Sequence, residues 1–357
     1  MSRPVLVAPD KFKGTLTAHE AAVAIARGLA QGGIDAVDLL PIADGGEGTM
    51  EALVRSLHGR VLATEAHDPL GRPVEAAFGL VHGGRTAIVE TAQASGLWRV
   101  APRERDPTGA STRGTGELIR AAIESGAREV VVAAGGSATT DGGRGALEAL
   151  GARFTRGRAD LDALRQTLRR VRLAVACDVR NPLLGPSGAA AVFAPQKGAD
   201  EAAVAKLELR LHAWAQLARK SSGRDPSDEP MAGAAGGLAG GLWAFAGAEL
   251  RPGATLVLDV AGFDDRARES FAVVTGEGRL DDQTLAGKAV FEISTRCRQG
   301  GVPCYAVVGT DEVDAFERRL MNLEVEAGTR DGRIARPEDL ERAAARIAAR
   351  LLVTKTR

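Results

Sequence analysis

Short apolar runs alternate along the chain with glycine-rich loops and with alanine-rich segments of helical spacing. Most of these runs are almost continuously apolar, which is typical of strands covered on both faces. Strands are predicted at Val5–Ala8, Thr86–Glu90, Glu129–Ala134, Leu173–Ala176, Phe271–Thr275 and Cys304–Val308. Amphipathic helices are predicted at Thr17–Ala30, Glu117–Ser125, Asp200–Arg219, Thr284–Arg298 and Pro337–Leu352. This alternation predicts an α/β fold with parallel sheets.

One region departs from the alternation. Between about Arg60 and Gly96 three short strand-like runs follow one another, separated by DPLGRP and HGG. We interpret this β-rich segment as part of a second lobe. No internal repeat, low-complexity linker or isolated block of charge marks a domain boundary in the sequence.

Composition narrows the class of protein. A length of 357 residues is enough for two domains, and 45% apolar with 26% charged residues is typical of a globular rather than a disordered chain. The 46 basic residues balance the 46 acidic residues, and aromatic residues make up 4%. The chain therefore lacks the basic surface and stacking side chains of a typical nucleic-acid binder.

The number of cysteines and the hydropathy of the chain indicate the cellular compartment of the protein. Three cysteines without a CxxC pair predict neither a disulfide framework nor a zinc ribbon, and they favour a reducing cytoplasm. The opening residues do not resemble a signal peptide. The longest uncharged stretch, Pro230–Ala248, consists mostly of alanine and glycine, so it predicts a buried helix rather than a membrane span. We therefore expect a cytoplasmic protein that does not contact a membrane.

Six glycine-rich loops combine glycine with acids, hydroxyls or lysines, and several directly follow a predicted strand. They are APDKFKGTLTA, ADGGEGT, STRGTGELI, AAGGSATTDGG, CDVRNPLLGPSG with FAPQKGA, and TGEGRLDDQTLAGK. Ligands of open α/β sheets bind outside the carboxyl ends of the strands, so these loops should converge on a site.

The loop AAGGSATTDGG carries the strongest signal. Glycines let backbone N–H groups turn toward a phosphate, hydroxyls add donors, and an acid can hold Mg²⁺. The loop is neither a Walker A motif nor GxGxxG. We predict that it binds nucleotide phosphates through Gly135, Gly136, Ser137, Thr139, Asp141 and Gly142. A purely structural turn is the alternative.

The other loops give weaker signals, each with an ordinary structural alternative such as a solvated lysine or a helix cap. Thr17 and Glu20 have the spacing of a capping box beside Lys11 and Lys13. In STRGTGELI the hydroxyls are expected to be N-caps. Further acids and lysines of these loops that could contact a ligand are Asp10, Asp44, Glu47, Asp178, Lys197, Glu277, Asp281 and Lys288.

Missing motifs also restrict the chemistry. The sequence has no GxSxG and no HExxH, and its histidines lie outside the acid-bearing loops apart from His19. Glycine loops with hydroxyls, acids and lysines fit phosphoryl transfer, in which catalysis is mostly positioning and charge neutralisation around Mg²⁺.

Taken in order, these loops together with GAAGGLAGGL resemble the glycerate kinase family, over about Val5 to Gly309. The resemblance implies a kinase that uses ATP and Mg²⁺ to phosphorylate D-glycerate, with 2-phosphoglycerate the expected product and 3-phosphoglycerate the less favoured one. It also implies two α/β domains with ligands in the cleft between them. We expect a Rossmann- or flavodoxin-like lobe with a parallel sheet at 1–60 plus 268–357, and a smaller mixed α/β lobe at 61–267.

We assign hypothetical roles to the remaining acids and bases of these loops. Asp178, Lys288 and Lys13 are the predicted catalytic residues, with Asp178 orienting or deprotonating the hydroxyl. Candidate substrate contacts are Asp10, Asp44 and Arg113, and the candidate metal ligands are Glu277 and Asp281.

Three segments depart from the family pattern, and they do not include the acids and lysines to which we assign these roles. Arg113 stands where an aromatic residue is more usual, 155–170 is shortened, and 311–357 lacks the expected glycine-serine turn. The oligomeric state is not indicated. Two other functions stay open, a non-catalytic hydroxy-acid-binding regulator and a nicotinamide-dependent hydroxy-acid dehydrogenase, although the latter would normally carry GxGxxG.

Overall fold

The computed structural model describes residues 3–12, 14–281, 289–321, 323–328 and 335–355. The chain forms two compact units, Met1–Asp44 with Ala254–Arg357, and Gly45–Gly253. The predicted boundaries after residues 60 and 267 are therefore corrected to 44 and 253. The first boundary lies before residue 60 because the helix at Thr49–Ser56 packs on strands of the second unit. The second boundary lies before residue 267 because Asp259 belongs to the first unit, where its carboxylate binds Arg296 at 2.7 Å.

The elements are numbered along the whole chain. The strands are β1 Val5–Pro9, β2 Val37–Leu39, β3 Arg60–His67, β4 Pro73–Val81, β5 Thr86–Glu90, β6 Glu129–Ala133, β7 Arg153–Thr155, β8 Arg158–Asp160, β9 Arg172–Cys177, β10 Glu249–Pro252, β11 Ala272–Leu280, β12 Cys304–Asp311 and β13 Glu324–Ala327. The helices are α1 Ala18–Gln31, α2 Thr49–Ser56, α3 Thr91–Ser95, α4 Arg113–Glu124, α5 Arg144–Ala149, α6 Asp162–Leu168, α7 Ala189–Phe193, α8 Glu201–Ser222, α9 Leu238–Ala246, α10 Gly253–Val260, α11 Phe263–Glu269, α12 Ala289–Gly300, α13 Ala315–Met321 and α14 Pro337–Lys355. Short 3₁₀ turns occupy His82–Gly84, Leu97–Arg99, Pro102–Glu104, Pro195–Lys197 and Ala234–Gly237.

The first unit is built on a parallel sheet with the order β13-β12-β11-β1-β2. Counted within this unit the order is 2-1-3-4-5, the flavodoxin-like arrangement, which confirms the predicted lobe type. Helices α1 and α14 pack closely because Gly28 has no side chain. A Cβ at Gly28 would lie 2.1 Å from the Glu341 carbonyl oxygen. The core contains β1 and β11 residues together with Ile25 and Ile347.

The second unit is built on a mixed sheet with the order β10-β9-β6-β5-β4-β3. Strands β5, β6, β9 and β10 are parallel, whereas β3, β4 and β5 form an antiparallel meander. The meander confirms the β-rich segment predicted from the sequence. This unit is the larger of the two, not the smaller as expected. It carries the β7–β8 hairpin and the 22-residue helix α8 in addition to the sheet and its other helices.

Most predicted elements are confirmed within a few residues. The capping box is present, with Thr17 accepting from the Glu20 N–H and Glu20 accepting from the Thr17 N–H. The main difference is β11, which continues to Leu280 instead of ending near Thr275. The start of the predicted helix Thr284–Arg298 falls partly outside the described residues.

The uncharged stretch Pro230–Ala248 contains the mostly buried helix α9 as predicted. Across the described ranges, no helix is both long and apolar enough to cross a membrane. Cys177, Cys297 and Cys304 are free and buried.

Candidate active site

Two buried carboxylates mark the carboxyl edge of the parallel sheet in the first unit. The strand order changes direction between β1 and β11, and ligands of such sheets bind at this switch point. Pro9 is in register with Gly276, and the Asp10 N–H donates to the Gly276 carbonyl at 2.8 Å. Asp10 and Glu277 therefore follow paired residues on neighbouring strands, and each is 7% exposed.

Lys11 and Asp44 lie at the same edge of this sheet. The Lys11 N–H donates to Asp10 Oδ1 at 2.6 Å. Lys11 Nζ lies 3.8 Å from Asp44 Oδ1. Asp44 reaches this edge because the Ile42 N–H donates to the Pro9 carbonyl at 2.9 Å and continues the path of β2 alongside β1. The first two glycine loops thus contribute an ion pair beside the Asp10 carboxylate.

The extent of β11 bears on the prediction that Glu277 and Asp281 jointly hold a metal. Strand β11 is extended through Leu280, so four residues at about 3.3 Å each separate the two Cα atoms by about 13 Å. Mg²⁺–oxygen distances of about 2.1 Å leave too wide a gap for both carboxylates to hold one ion. In the described ranges no group of three or more His, Cys, Asp or Glu residues could hold a metal ion. Lys13 and Lys288 lie outside the described residues.

The loop after β6 in the second unit presents consecutive backbone donors. Among the described residues, the N–H groups of Gly135, Gly136 and Ser137 have no hydrogen-bond acceptor. The loop is anchored on its other side, where the Gly136 carbonyl accepts from the Leu97 N–H at 2.8 Å. Successive backbone N–H groups of this kind form anion-binding concavities. We call Gly135–Ser137 the anion cradle.

The glycines of the cradle are required by close contacts and by backbone conformation. A Cβ at Gly135 would lie 2.7 Å from Gly46 Cα. Gly136 has a φ of +69°, and a Cβ there would meet Glu47 Oε1 at 2.2 Å. The sequence ADGGEGT therefore packs directly against the cradle through Gly46 and Glu47.

Lys197 supports the cradle from the protein interior, with a relative exposure of 3%. Its Nζ donates to Ser137 Oγ at 2.9 Å and to the Thr139 carbonyl at 2.6 Å. Burial lowers the pKa of the Lys197 ammonium from 10.5 to about 7, and the charge of Asp141 opposes that shift. Ser137 accepts from Lys197, so its own hydroxyl proton is available to a ligand.

Thr139 carries a second unsatisfied group in this loop. Its side chain is fully buried, and Thr139 Oγ1 has no hydrogen-bond partner among the described residues. A buried hydroxyl without a partner costs roughly 1–3 kcal/mol relative to a satisfied one. The first half of the loop therefore has unpaired backbone N–H groups that a polar ligand would satisfy, together with one buried hydroxyl that lacks a partner.

The second half of the same loop is structural instead. The Asp141 carboxylate accepts from Thr112 Oγ1 at 2.9 Å and from the N–H groups of Thr112, Gly143 and Gly145 at 2.9–3.1 Å. Its carboxylate thus joins the starts of α4 and α5. The Gly142 N–H donates to Gly236, and its carbonyl accepts from Trp214 Nε1. Packing within the protein already uses these groups of Asp141 and Gly142, which disfavours the predicted phosphate-binding role for both residues.

Three further acids lie at or near the carboxyl edge of the mixed sheet. Glu47 lies beside the cradle, and the exposed Asp178 follows β9 directly. Glu90, the last residue of β5, accepts from the Met50 N–H at 2.8 Å. Burial raises the pKa of Glu90, while the Met50 and Gly48 N–H groups oppose the shift. Sequence reasoning missed Glu90, which serves as an anion at the α2 N-terminus.

Arg113 is the first residue of α4. Its Nε donates to Glu117 Oε1 at 2.8 Å, and its side chain is 61% exposed. It lines a separate pocket that also contains Glu65, Glu124 and Glu148. These carboxylates disfavour an anionic substrate there, so the predicted substrate contact is not supported by the geometry.

Comparison with known proteins identifies the family of this chain. The profile of the glycerate kinase family matches residues 5–356, and so extends through the C-terminal segment that departs from the expected pattern. Glycerate kinase from Bacillus subtilis strain 168 is 41% identical over 329 residues, with 87% of this chain and 86% of the relative covered. Glycerate 2-kinase from Escherichia coli K12 is 39% identical over 328 residues, with 87% and 86% covered.

A solved structure shares the fold over its full length. The crystal structure of a protein described as glycerate kinase 2 from Salmonella typhimurium LT2 superposes with a TM-score of 0.87 and 35% identity, covering 100% of both chains. With these matches along the whole length, the chain belongs to the glycerate kinase family.

Proposed function

We propose that this protein is a glycerate kinase that transfers the γ-phosphoryl group of ATP to the 2-hydroxyl of D-glycerate. The observation that carries the proposal is the anion cradle. It combines three unpaired N–H groups with a hydroxyl held by the buried Lys197. Membership of the glycerate kinase family supplies the class of reaction, and the relative named glycerate 2-kinase favours the 2-hydroxyl over the 3-hydroxyl.

We assign the ATP phosphates to the cradle. The N–H groups of Gly135, Gly136 and Ser137 would donate to phosphate oxygens, and the Ser137 hydroxyl would add a fourth donor. Lys197 holds that hydroxyl and brings positive charge close to the phosphates without being exposed to solvent. Phosphoryl transfer needs this kind of positioning and charge stabilisation more than covalent chemistry.

We assign Mg²⁺ to the first unit, at Asp10 and Glu277. Carboxylate oxygens are the preferred ligands of Mg²⁺, which proteins usually bind through one or two of them. Two buried carboxylates on neighbouring strand ends fit that requirement, whereas Asp281 is too far from Glu277 to share the ion. When bound, Mg²⁺ neutralises developing charge on the transferred phosphoryl group.

The three predicted catalytic residues retain their roles in the proposal. Asp178 would accept the proton of the attacking hydroxyl, and its exposed position after β9 leaves it accessible to a substrate. Lys13 and Lys288 would neutralise phosphate or carboxylate charge. In the reaction a bond forms between the glycerate oxygen and the γ-phosphorus, the bond from that phosphorus to the β-phosphate oxygen breaks, and ADP leaves.

An assay coupled to enolase tests the function and the product together. The protein is mixed with ATP, Mg²⁺ and D-glycerate, and enolase reports 2-phosphoglycerate but not 3-phosphoglycerate. We expect ADP release and an enolase signal of equal rate. ADP release without an enolase signal would reassign the product. Absence of ADP release despite glycerate binding would support a regulator, and reduction of a nicotinamide cofactor would support a dehydrogenase.

A further inference from the structure

A second pocket lies in the second unit, away from the anion cradle. Helix α8, the start of α5 and the β7–β8 hairpin enclose about 620 Å³, which is within the usual 300–1,000 Å³ range of small-molecule sites. Its lining includes Thr140 and Asp141, which follow the cradle in the sequence, but none of Gly135–Ser137.

The lining of this pocket is strongly cationic. Arg144, Arg156, Arg210 and Lys220 contribute four positive charges, and Asp141 is the one acid among the described residues that line it. The Asp141 carboxylate is already used by four donors from α4 and α5. A chain with a formal net charge of zero therefore carries a local excess of positive charge, which favours anions.

The cationic side chains near the hairpin form the fewest hydrogen bonds and ion pairs of the four. Within the described part of the chain, the Arg156 guanidinium forms no hydrogen bond or ion pair, and Lys220 Nζ reaches only the Gly157 carbonyl at 3.4 Å. By contrast, Arg144 binds Glu148 at 2.8 Å, and Arg210 donates to the Thr108 carbonyl at 2.6 Å. An anionic group would therefore form its most favourable new ion pairs at the hairpin end of the pocket.

The rest of the lining combines an apolar wall with the polar Thr155 and Gln216 and with one unsatisfied hydroxyl. Phe154 meets Trp214 edge to face with ring centroids 4.7 Å apart, and Leu217 continues this wall. Thr140 lines the pocket and is 3% exposed, yet its Oγ1 has no partner among the described residues. Buried polar atoms are normally satisfied, so this hydroxyl is an unpaired polar atom in the wall of the pocket.

We propose that this pocket is a second binding site, for an organic phosphate. Its phosphate would contact Arg156 and Lys220, while its apolar portion would pack along Phe154 and Trp214. The donors at the start of α5 are occupied by Asp141, so recognition depends on side chains rather than on the helix N-terminus. The site does not depend on the proposed kinase activity.

Isothermal titration of a charge-deleted variant tests the site. ADP, 2-phosphoglycerate, pyrophosphate and inorganic phosphate are titrated into the wild type and into Arg156→Ala/Lys220→Ala. The matched control is Arg158→Ala/Arg219→Ala, which removes two exposed charges from the same hairpin and helix without touching the pocket lining. We expect an organic phosphate to bind the deleted variant about ten-fold or more weakly at one site, since charge-assisted hydrogen bonds are lost. The control should match the wild type.

The outcomes separate this site from the proposed active site. Loss of one binding event with unchanged turnover of D-glycerate supports the second site. Equal weakening in the control would show nonspecific charge attraction and overturn the proposal, as would equally tight binding of inorganic phosphate. A fall in kcat/KM in the pocket variant would place these residues in the active site and also overturn it.

Discussion

Lys197 Nζ donates to Ser137 Oγ at 2.9 Å, across 60 residues of sequence, and both side chains are buried. The contact joins the PQKGA turn to the loop after β6. It places a titratable cation directly behind three unpaired backbone N–H groups. The protonation state of Lys197 is thereby linked to the hydrogen-bond donors of the anion cradle.

Replacing Lys197 with methionine should lower kcat/KM for ATP by about 10²-fold, the usual effect of deleting one electrostatic contact to developing charge. Methionine retains most of the side-chain volume, so folding should persist. Steady-state kinetics with D-glycerate measures the change. Lys206→Met, which removes an exposed lysine of α8, is the control and should behave as the wild type. Equal kinetics for both variants would remove Lys197 from the proposed site.

The pKa of Lys197 predicts a pH dependence of stability. It is about 7 in the folded protein against an ordinary value of 10.5, so between these values the unfolded chain holds one more proton. The stability contributed by this group should fall as the pH is lowered from about 10 to about 7, by up to about 1.4 kcal/mol per pH unit, and then level off. Urea unfolding from pH 6 to 9 should show this slope as a difference between the wild type and Lys197→Met. Parallel profiles for the two proteins would contradict it.

Ligand binding should also take up a proton at Lys197. A bound phosphate favours the ammonium form, so the pKa of Lys197 should rise on binding. Calorimetry of ADP binding near pH 7.5, in two buffers of different ionisation enthalpy, should show more proton uptake for the wild type than for Lys197→Met. Identical uptake would separate Lys197 from the bound anion.

Asp141→Ala should destabilise the protein rather than change its metal requirement. The carboxylate satisfies four donors at the starts of α4 and α5, and we expect a loss of about 3 kcal/mol in the free energy of unfolding. Urea denaturation provides the measurement. Asp162→Ala, at a side chain that is 90% exposed, should cost little. A raised Mg²⁺ requirement with unchanged stability would restore Asp141 as a ligand.

Asp10→Asn and Glu277→Gln should each raise the Mg²⁺ concentration needed for half-maximal activity by about ten-fold or more, because one oxygen ligand loses its charge. Asp281→Asn, directly after the same strand, provides the matched comparison and should change this value little. Activity titrated with Mg²⁺ at saturating ATP measures the effect. A larger effect at Asp281 than at Glu277 would reverse the assignment.

Several features of the fold could be predicted because they depend on local patterns. The strand Thr86–Glu90 is observed with the predicted ends, since its apolar run stops at a charged residue. The Thr17 capping box is observed because both of its partners lie within three residues. The mixed lobe is the larger unit, and the predicted bounds 61–267 already enclosed more of the chain than 1–60 with 268–357, so only the expected size ranking fails.

The site was harder to predict, because the same side chain serves a ligand or the fold depending on distant neighbours. Asp141 has the sequence context of a phosphate-loop acid, yet Thr112, 29 residues away, makes it structural. The residue pattern predicts Glu90 as the last residue of a strand and does not indicate that it lies near a site. Lys197 gave a faint signal, as one of seven lysines in an arginine-rich chain and adjacent to a glycine.

By itself the sequence determined the α/β alternation, the β-rich segment and the ordered glycine loops that identify the family, because these depend on residue periodicity and local turn chemistry. Only the tertiary structure decided which loop residues are available to a ligand. Burial lowers the pKa of Lys197, strand register brings Asp10 beside Glu277, and the extension of β11 separates Glu277 from Asp281. These properties depend on solvent exclusion and on pairing between distant segments, which no local pattern encodes.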